Sequence, residues 1–285
     1  MMGEIHLNTV EARPYPFPPT PTYSIFSDLD ETFYIHNKQE RCYSSIQSFE
    51  ETMHTLALTQ GALFGLVTGS SLESVLEKLS IGGYRYAPHF IGCDLGTRLY
   101  WVKEDGTLEE DLGFKELLAH FSFDDSLIEQ IKRELAHQQI VLTEQTQLGS
   151  SPYKKNFYYF KEHDELDKER LMIIRSVAKR HGIHCNINRC NPLAGDPEDA
   201  YDVDFIPLHT GKDSIVNYVN QKYRIPYVNS FAFGDSGNDL TMLTAVKHGY
   251  LVRNATEESK DAHSKVTPYP YIEGITYILR NQFDL

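Results

Sequence analysis

The chain has 285 residues and a formal net charge of −13, from 40 acidic and 27 basic side chains, and 41% of its residues are hydrophobic. That length can bury a substantial core in one large or two modest domains, and that apolar content excludes a disordered chain. The negative charge argues against a nucleic-acid partner, whose phosphates it would repel, but less against a small phosphorylated ligand, because one lysine and a metal ion can dominate a local field.

Other classes fall away from local pattern. No apolar run approaches the roughly 18 residues of a membrane helix. The N-terminus carries Glu4 and a proline-rich stretch (Pro14, Pro16, Pro18, Pro19, Pro21) and lacks the pattern of a secretory signal. The four cysteines, Cys42, Cys93, Cys185 and Cys190, form no C-x-x-C pair, so reduced thiols are expected and zinc is not. The expectation is a cytoplasmic enzyme with no membrane partner.

In chain order, residues 1–21 read as an extended arm. Tyr23-Ser24-Ile25-Phe26 is a short apolar strand leading into Asp28-Leu29-Asp30-Glu31-Thr32. Ile46, Phe49, Met53 and Leu56 recur at helical spacing. Ala62–Val67 is a buried strand ending in Thr68-Gly69-Ser70. Leu72, Val75, Leu76 and Leu79 form the next helical face, with Ser70-Ser71-Leu72-Glu73 as a capping box. Strand, helix, strand, helix implies a parallel sheet.

The pattern changes from about Gly96 to Pro207. A helix (Leu127, Ile128, Ile131, Leu135) and a strand (Ile140-Val141-Leu142) are followed by a strand (Phe157–Phe160) and a helix (Leu171, Ile174, Val177, Ala178). Two alternating strands close the segment: Ile183, Cys185, Ile187, then Tyr201, Val203, Phe205. This reads as an inserted α+β domain. The first pattern then resumes. Thr210-Gly211-Lys212 opens a helix with Ile215, Val216 and Val219 on one face. Ser230–Phe233 is a strand running into Gly234-Asp235-Ser236-Gly237-Asn238-Asp239. Leu240, Leu243 and Val246 lie on a helix, and Gly249–Val252 is a further strand. The expected organisation is an arm at 1–21, a catalytic core at 22–95 and 208–285, and a specificity domain at 96–207.

Two acidic pairs thus sit at the carboxyl ends of buried strands, where open α/β sheets place their ligands. Gathered carboxylates repel one another and are tolerable mainly around a hard cation such as Mg²⁺. Asp28 is the candidate nucleophile, and Asp30 can give a proton to a leaving oxygen and later take one from water. Thr68 and Gly69 suit a phosphate oxygen at a helix start. Lys212, at a helix N-terminus that disfavours a cation, gains meaning if it neutralises Asp28 and phosphate. Asp235 is the better metal ligand of the second pair; Asp239 and Asn238 would stand behind it, holding a metal-bound water or Lys212. Taken singly, each motif also fits an acidic turn, an ordinary strand-to-helix turn, a helix cap or a surface lysine; their fixed order is what joins them.

In that order the motifs resemble those of the haloacid-dehalogenase superfamily of phosphatases, in the branch of Cof-like and sucrose-phosphatase-like members with a type IIB (C2B) cap. The resemblance implies a Rossmann-like α/β core, with a parallel sheet and helices on both faces, and an inserted α+β cap. It also implies a magnesium-dependent phosphoric monoester hydrolase acting through an aspartyl-phosphate. Carried over, Asp28 is the nucleophile and Asp30 the acid/base. Thr68 and Lys212 bind phosphate, and Mg²⁺ sits on Asp28, the Asp30 carbonyl and Asp235. Glu31 departs from the glycine found in many members. Val67-Thr68-Gly69-Ser70-Ser71, Pro88-His89-Phe90-Ile91, Asp94-Leu95-Gly96-Thr97 and the stretch from Asn186 to Pro207 resemble bacillar aminosugar 6-phosphate phosphatases more narrowly. The implied partner is a small sugar phosphate. Within the polar segment 188–199, Asn188, Arg189, Asn191, Asp196 and Asp199 are the candidate sugar contacts, the acids suiting an amino group. A general hexose-phosphate or sucrose-phosphate phosphatase, a phosphomutase and a non-catalytic sugar-phosphate sensor remain as alternatives.

Overall fold

The computed structural model describes residues 12–145, 151–190, 192 and 195–285. The chain divides into two compact units, one of residues up to Lys115 together with Lys212–Leu285, the other Glu116–Gly211.

The first unit begins with β1 (Arg13–Pro14), β2 (Tyr23–Ser27), α1 (Tyr43–Gln60), β3 (Ala62–Val67), α2 (Leu72–Gly82), β4 (Tyr86–Ala87), β5 (Phe90–Cys93), β6 (Arg98–Val102) and β7 (Leu108–Glu110), and α3 (Leu112–Leu118) runs past its end. The second unit holds α4 (Asp125–His137), β8 (Thr143–Glu144), β9 (Lys155–Phe160), α5 (Asp164–Arg180), β10 (Ile183–Arg189) and β11 (Ala200–Pro207). The chain then returns to the first unit with α6 (Lys212–Tyr223), β12 (Ser230–Gly234), α7 (Leu240–Thr244), β13 (His248–Leu251), α8 (Glu257–Ala262) and α9 (Tyr271–Phe283).

Seven strands form the main sheet in the order β13-β12-β2-β3-β5-β6-β7. The first five run parallel, and β6 and β7 are antiparallel additions. All six residues of β3 are buried, as a central parallel strand covered on both faces requires. Ile25, Phe64, Leu66, Phe231 and Phe233 form a core with Phe49, Met53 and Leu56 of α1, Leu72, Val75 and Leu79 of α2, and Ile272, Ile275 and Leu279 of α9. On the opposite face Ile215 of α6 lies against Gly92 of β5. Each such large apolar side chain contributes about 1.5–3 kcal/mol on burial. The arm also joins this unit: β1 pairs with β4, and Tyr15 stacks on Tyr86 with ring centroids 4.9 Å apart.

The second unit is a four-stranded antiparallel sheet, β10-β11-β9-β8, with its own core of Phe157, Tyr159, Ile187, Val203 and Phe205 against α4 and α5.

The structure departs from the sequence reading in four places. The insert does not begin at 96. Asp94, Leu95 and Gly96 adopt positive φ and turn the chain into β6, so residues 98–110 extend the main sheet and Tyr100 and Val102 enter its core. The strand expected at 140–142 lies at Thr143–Glu144, although Ile140 and Leu142 do enter the second core. The cap of α2 is the Ser71 hydroxyl accepting from the Ser74 N–H, rather than a box from Ser70 to Glu73. Finally, α7 ends at Thr244, before Val246.

His89 ties the arm to the sheet. Its Nδ1 accepts from the Phe64 N–H at 2.9 Å, so the proton is on Nε2, which lies 3.1 Å from the Pro16 carbonyl. Burial lowers its pKa from 6.5 to about 4. The neutral ring is therefore favoured in the native state. Stability from it is complete above pH 6.5 and is lost as the pH falls towards 4, in all about 3 kcal/mol. Urea unfolding between pH 7 and 4 should show this decline. His89→Asn, which keeps an acceptor but does not titrate, should be less stable at pH 7 and show a shallower decline; an unchanged slope would remove His89 as its source.

Candidate active site

Parallel strands bring their carboxyl ends to one edge. Asp28 follows β2, Thr68 follows β3, Asp235 follows β12, and Lys212 opens α6. The Asp28 N–H donates to the Phe233 carbonyl and the Thr68 N–H to the Gly92 carbonyl, so both residues are fixed by neighbouring strands.

Lys212 is the centre of this edge. Its side chain is 1% exposed, and Nζ lies 2.6 Å from both Asp28 Oδ1 and Asp239 Oδ1. Burial pulls its pKa down, but Asp239 and Asp28 outweigh that and hold it above the ordinary range. Gly211, at φ +134°, supplies backbone that a side chain would strain just before this lysine. Asp239 spends its other oxygen on the N–H groups of Asp235 and Ser236, each at 3.0 Å. Gly234 permits that approach, since a Cβ there would come within 2.4 Å of the Asp239 side chain. Asn238 does not cap the helix. Ser236 and Asp239 instead form a capping box on the short 3-10 turn 237–239 that precedes α7, and Asn238 Oδ1 accepts from the Ser236 hydroxyl.

One carboxylate oxygen each from Asp28, Asp235 and Asp239 lie within 4.8 Å of one another. Burial raises the Asp28 pKa to about 7, with Asp239 and Asp30 adding to it and Lys212 opposing. Burial and the Asp239 and Asp28 charges likewise push Asp235 well up. Asp239 is fully engaged by its own partners, so the oxygens left for a cation are those of Asp28 and Asp235. Converging, under-compensated carboxylate oxygens are the donor set a hard divalent cation takes. The residues fit Mg²⁺.

Asp30 is turned towards different partners. Its Oδ2 accepts from the Ser70 hydroxyl and from Lys78 Nζ, both at 2.9 Å. Its Oδ1 lies 2.7 Å from Lys78 Nζ and 3.2 Å from His36 Nε2. Glu31 holds a left-handed φ of +58°, a conformation that favours glycine. Its carbonyl accepts from Asn254 and its carboxylate from the His36 N–H. The Thr68 hydroxyl oxygen accepts from the Ser70 N–H at 3.1 Å, and Gly69 lies beside Leu95.

The sugar contacts expected in segment 188–199 are dispersed. Asn188 stands opposite Asp202 in the register of β10 and β11, and Arg189, exposed, stands opposite Tyr201. Asp196 accepts from the Tyr158 hydroxyl at 2.9 Å. Asp199 is exposed, with its carbonyl accepting from the Lys161 N–H. Asn191 lies outside the described residues. The sequence reading missed a more concentrated group. Strand alternation sends Asn156, Tyr158, Asn186, Asn188, Asp202 and Asp204 to the sheet face opposite the second core. Gln145 Nε2 donates to Asp202 at 2.6 Å, and Asn156 Nδ2 donates to Asp204 at 2.7 Å. Burial, then Asp196 and Asp204, raise the Asp202 pKa to about 7.

The profile of the sucrose-6F-phosphate phosphohydrolase family matches residues 21–273. The chain belongs to this family. It is a phosphoric monoester hydrolase of the haloacid-dehalogenase superfamily. A kanosamine-6-phosphate phosphatase of Bacillus subtilis is 43% identical over 262 residues, covering 91% of this chain and 92% of that protein. The crystal structure of a haloacid dehalogenase-like hydrolase from Bacillus subtilis superposes with a TM-score of 0.75 at 40% identity, covering 96% of each chain. A sucrose-phosphatase from Synechocystis, solved with sucrose and phosphate, shares the fold with a TM-score of 0.68 at 18% identity, covering 93% of this chain and 99% of that one.

Lys212→Met tests the charge balance. It should cost about 3–5 kcal/mol at pH 8, because two buried carboxylates lose their counter-charge. The loss should shrink at pH 6. Removing the ammonium raises the Asp28 pKa further, and protonation, cheaper at lower pH, then relieves the burial of charge. Urea unfolding in EDTA at both pH values measures this; equal losses would contradict it.

Proposed function

We propose that the protein releases phosphate from an aminosugar 6-phosphate, with Asp28 as nucleophile. The observation that carries this reading is the buried contact of Lys212 with Asp28 and Asp239. It leaves one Asp28 oxygen to react while the other is held.

Asp28 attacks phosphorus in line, the bond from phosphorus to the sugar oxygen breaks, and Asp30 gives that oxygen its proton. Water then attacks the phosphorus of the aspartyl-phosphate while Asp30 takes a proton from it. Phosphate leaves and both carboxyls return to their starting states. The Thr68 hydroxyl keeps its own hydrogen for a phosphoryl oxygen, because its oxygen accepts from the Ser70 N–H. Lys212 and the Gly69 turn oppose the charge spread over the phosphoryl oxygens. Asp28, Asp235 and the Asp30 carbonyl would hold Mg²⁺, which masks the nucleophile's charge and stabilises that of the transferring group.

Sugar selection we assign to the second unit. Asp202 and Asp204 lie among amide side chains on one sheet face, a set suited to hydroxyl groups and to an ammonium. The kanosamine-6-phosphate phosphatase relative supports the same substrate class. The substrate is a small sugar phosphate, and among the described residues no helix is long and apolar enough to cross a membrane.

Phosphate release should be measured on kanosamine 6-phosphate, glucosamine 6-phosphate, glucose 6-phosphate and sucrose 6-phosphate, with Mg²⁺ and after EDTA. The amino sugars should lead, turnover should need the metal, and Asp28→Asn should abolish it. Wild-type turnover in Asp28→Asn removes the nucleophile assignment. Equal rates on glucose 6-phosphate remove the amine preference alone, and transfer to a second hydroxyl without free phosphate would mark a mutase.

Asp202→Asn should cut the preference for an amino sugar over glucose 6-phosphate roughly 10-fold to 100-fold in kcat/KM, the span of one charged hydrogen bond. An unchanged ratio would take Asp202 out of amine recognition.

A further inference from the structure

We propose that Lys78, acting with Ser70, is the positioning residue for the Asp30 carboxyl. The inference rests on the reading of Asp30 as acid and base, and it adds a residue outside the four motifs. Lys78 projects from α2, far from Asp30 in sequence, and its side chain is 16% exposed. Nζ reaches both Asp30 oxygens, at 2.7 and 2.9 Å, and the Ser70 hydroxyl at 3.0 Å. Ser70 in turn donates to Asp30 Oδ2 at 2.9 Å. Lysine, serine and carboxylate therefore close a three-membered ring of contacts. His36 Nε2 lies 3.2 Å from Asp30 Oδ1, and Glu31 meets the same ring through Nδ1 at 3.3 Å. Three chain segments converge on one carboxyl: the loop following Asp30, the turn after β3, and α2.

The chemistry explains why such a clamp matters. Asp30 gives a proton to the sugar oxygen in the first half-reaction and takes one from water in the second. Both transfers need its carboxyl in hydrogen-bond reach of an atom near the same phosphorus. A carboxyl on a single Cβ rotates freely about two bonds. Contacts to both oxygens remove that freedom beforehand, and misplacement by about 1 Å costs about 100-fold in rate. Loss of Lys78 should therefore fall on turnover, in both half-reactions with a sugar phosphate and in hydrolysis of the aspartyl-phosphate alone where the leaving group needs no proton.

The test compares Lys78→Met, Lys78→Arg, Ser70→Ala and Asp30→Asn with wild type, on glucosamine 6-phosphate and on p-nitrophenyl phosphate. The p-nitrophenolate group leaves without needing a proton, so its first half-reaction bypasses the acid. Lys78→Met should lower kcat on the sugar phosphate about 10-fold to 100-fold, with KM within about threefold. On p-nitrophenyl phosphate a rapid burst of p-nitrophenol should persist while the steady state falls, with phosphoenzyme trapped by acid quench. Lys78→Arg should recover part of kcat, and Ser70→Ala should show the same split, more weakly. Wild-type kcat in Lys78→Met, beside an inactive Asp30→Asn, would overturn the inference and leave the acid/base reading standing. A raised KM with unchanged kcat would make Lys78 a substrate contact and also overturn it. So would loss of burst and steady state together in folded Lys78→Met. Wild-type turnover in Asp30→Asn would bring down the acid/base reading and this inference with it.

Discussion

The whole catalytic edge depends on one buried ammonium. Lys212 opens α6, where the helix dipole works against a cation by some 0.3–1 kcal/mol. Two carboxylates at 2.6 Å more than offset that in a site with little water. The fold is arranged to make the meeting possible. The order β12-β2-β3 sets the ends of the motif strands side by side, and β12 and β2 fix Asp28 through the Phe233 carbonyl. Gly234 leaves space for Asp239, and the 234–239 turn gives that residue two N–H donors as well as the lysine. A side chain at Gly234 would therefore disturb Lys212 through Asp239.

The same edge is deliberately unbalanced. Oxygens of Asp28, Asp235 and Asp239 gather beside a single ammonium, and burial together with the excess of negative charge raises the pKa values of Asp28 and Asp235. A fold selected for stability alone would replace such a cluster, since buried ion pairs seldom outperform apolar packing. Retaining it is consistent with a divalent cation that is bound when the protein works. On the proposed reading, an acidic protein acts on an anionic substrate because the field that matters is local, with Lys212 and a bound cation as the charges that would face the phosphate.

Much of this edge was legible in the sequence because each motif sits where periodicity changes. Buried strands such as Ala62–Val67 read clearly, and a polar residue directly after one has few structural reasons to be there. Lys212 stood out as a cation at a helix start. Lys78 did not, because a lysine on an amphipathic helix beside Leu72, Val75 and Leu79 looks like part of the solvated face; only the tertiary fold brings it to Asp30. Asp202 and Asp204 were hidden for a related reason. They alternate with Val203 and Phe205, and alternation marks them as the outward face of a half-covered strand without saying what lies beside them. Residues 98–110 were placed at the start of the insert because the sequence pattern changes near Gly96 and no strand was read there. Here they extend the old sheet, and Trp101 within it anchors on Asp111, a carboxylate also held by Tyr218 and Lys222 of α6.

The two units meet the cost of burying acids in different ways. In the first, Asp28 is compensated by an ammonium belonging to the chain, which arrives with the fold and does not leave. In the second, Asp202 is met by the Gln145 amide and the Cys190 thiol, and Lys154 lies 3.7 Å from Asp204. Amide and thiol donors stabilise a carboxylate by hydrogen bonds but add no charge, so burial, with the Asp196 and Asp204 charges, raises the Asp202 pKa to about 7. A cationic group arriving beside Asp202 would gain what a lysine gains beside Asp28, whereas a hydroxyl in its place would gain only a neutral hydrogen bond. Charge-assisted bonds are roughly twice as strong as neutral ones. Selection between an amino sugar and its hydroxyl counterpart can thus come from leaving an acid uncompensated, without any difference in the shape of the binding surface.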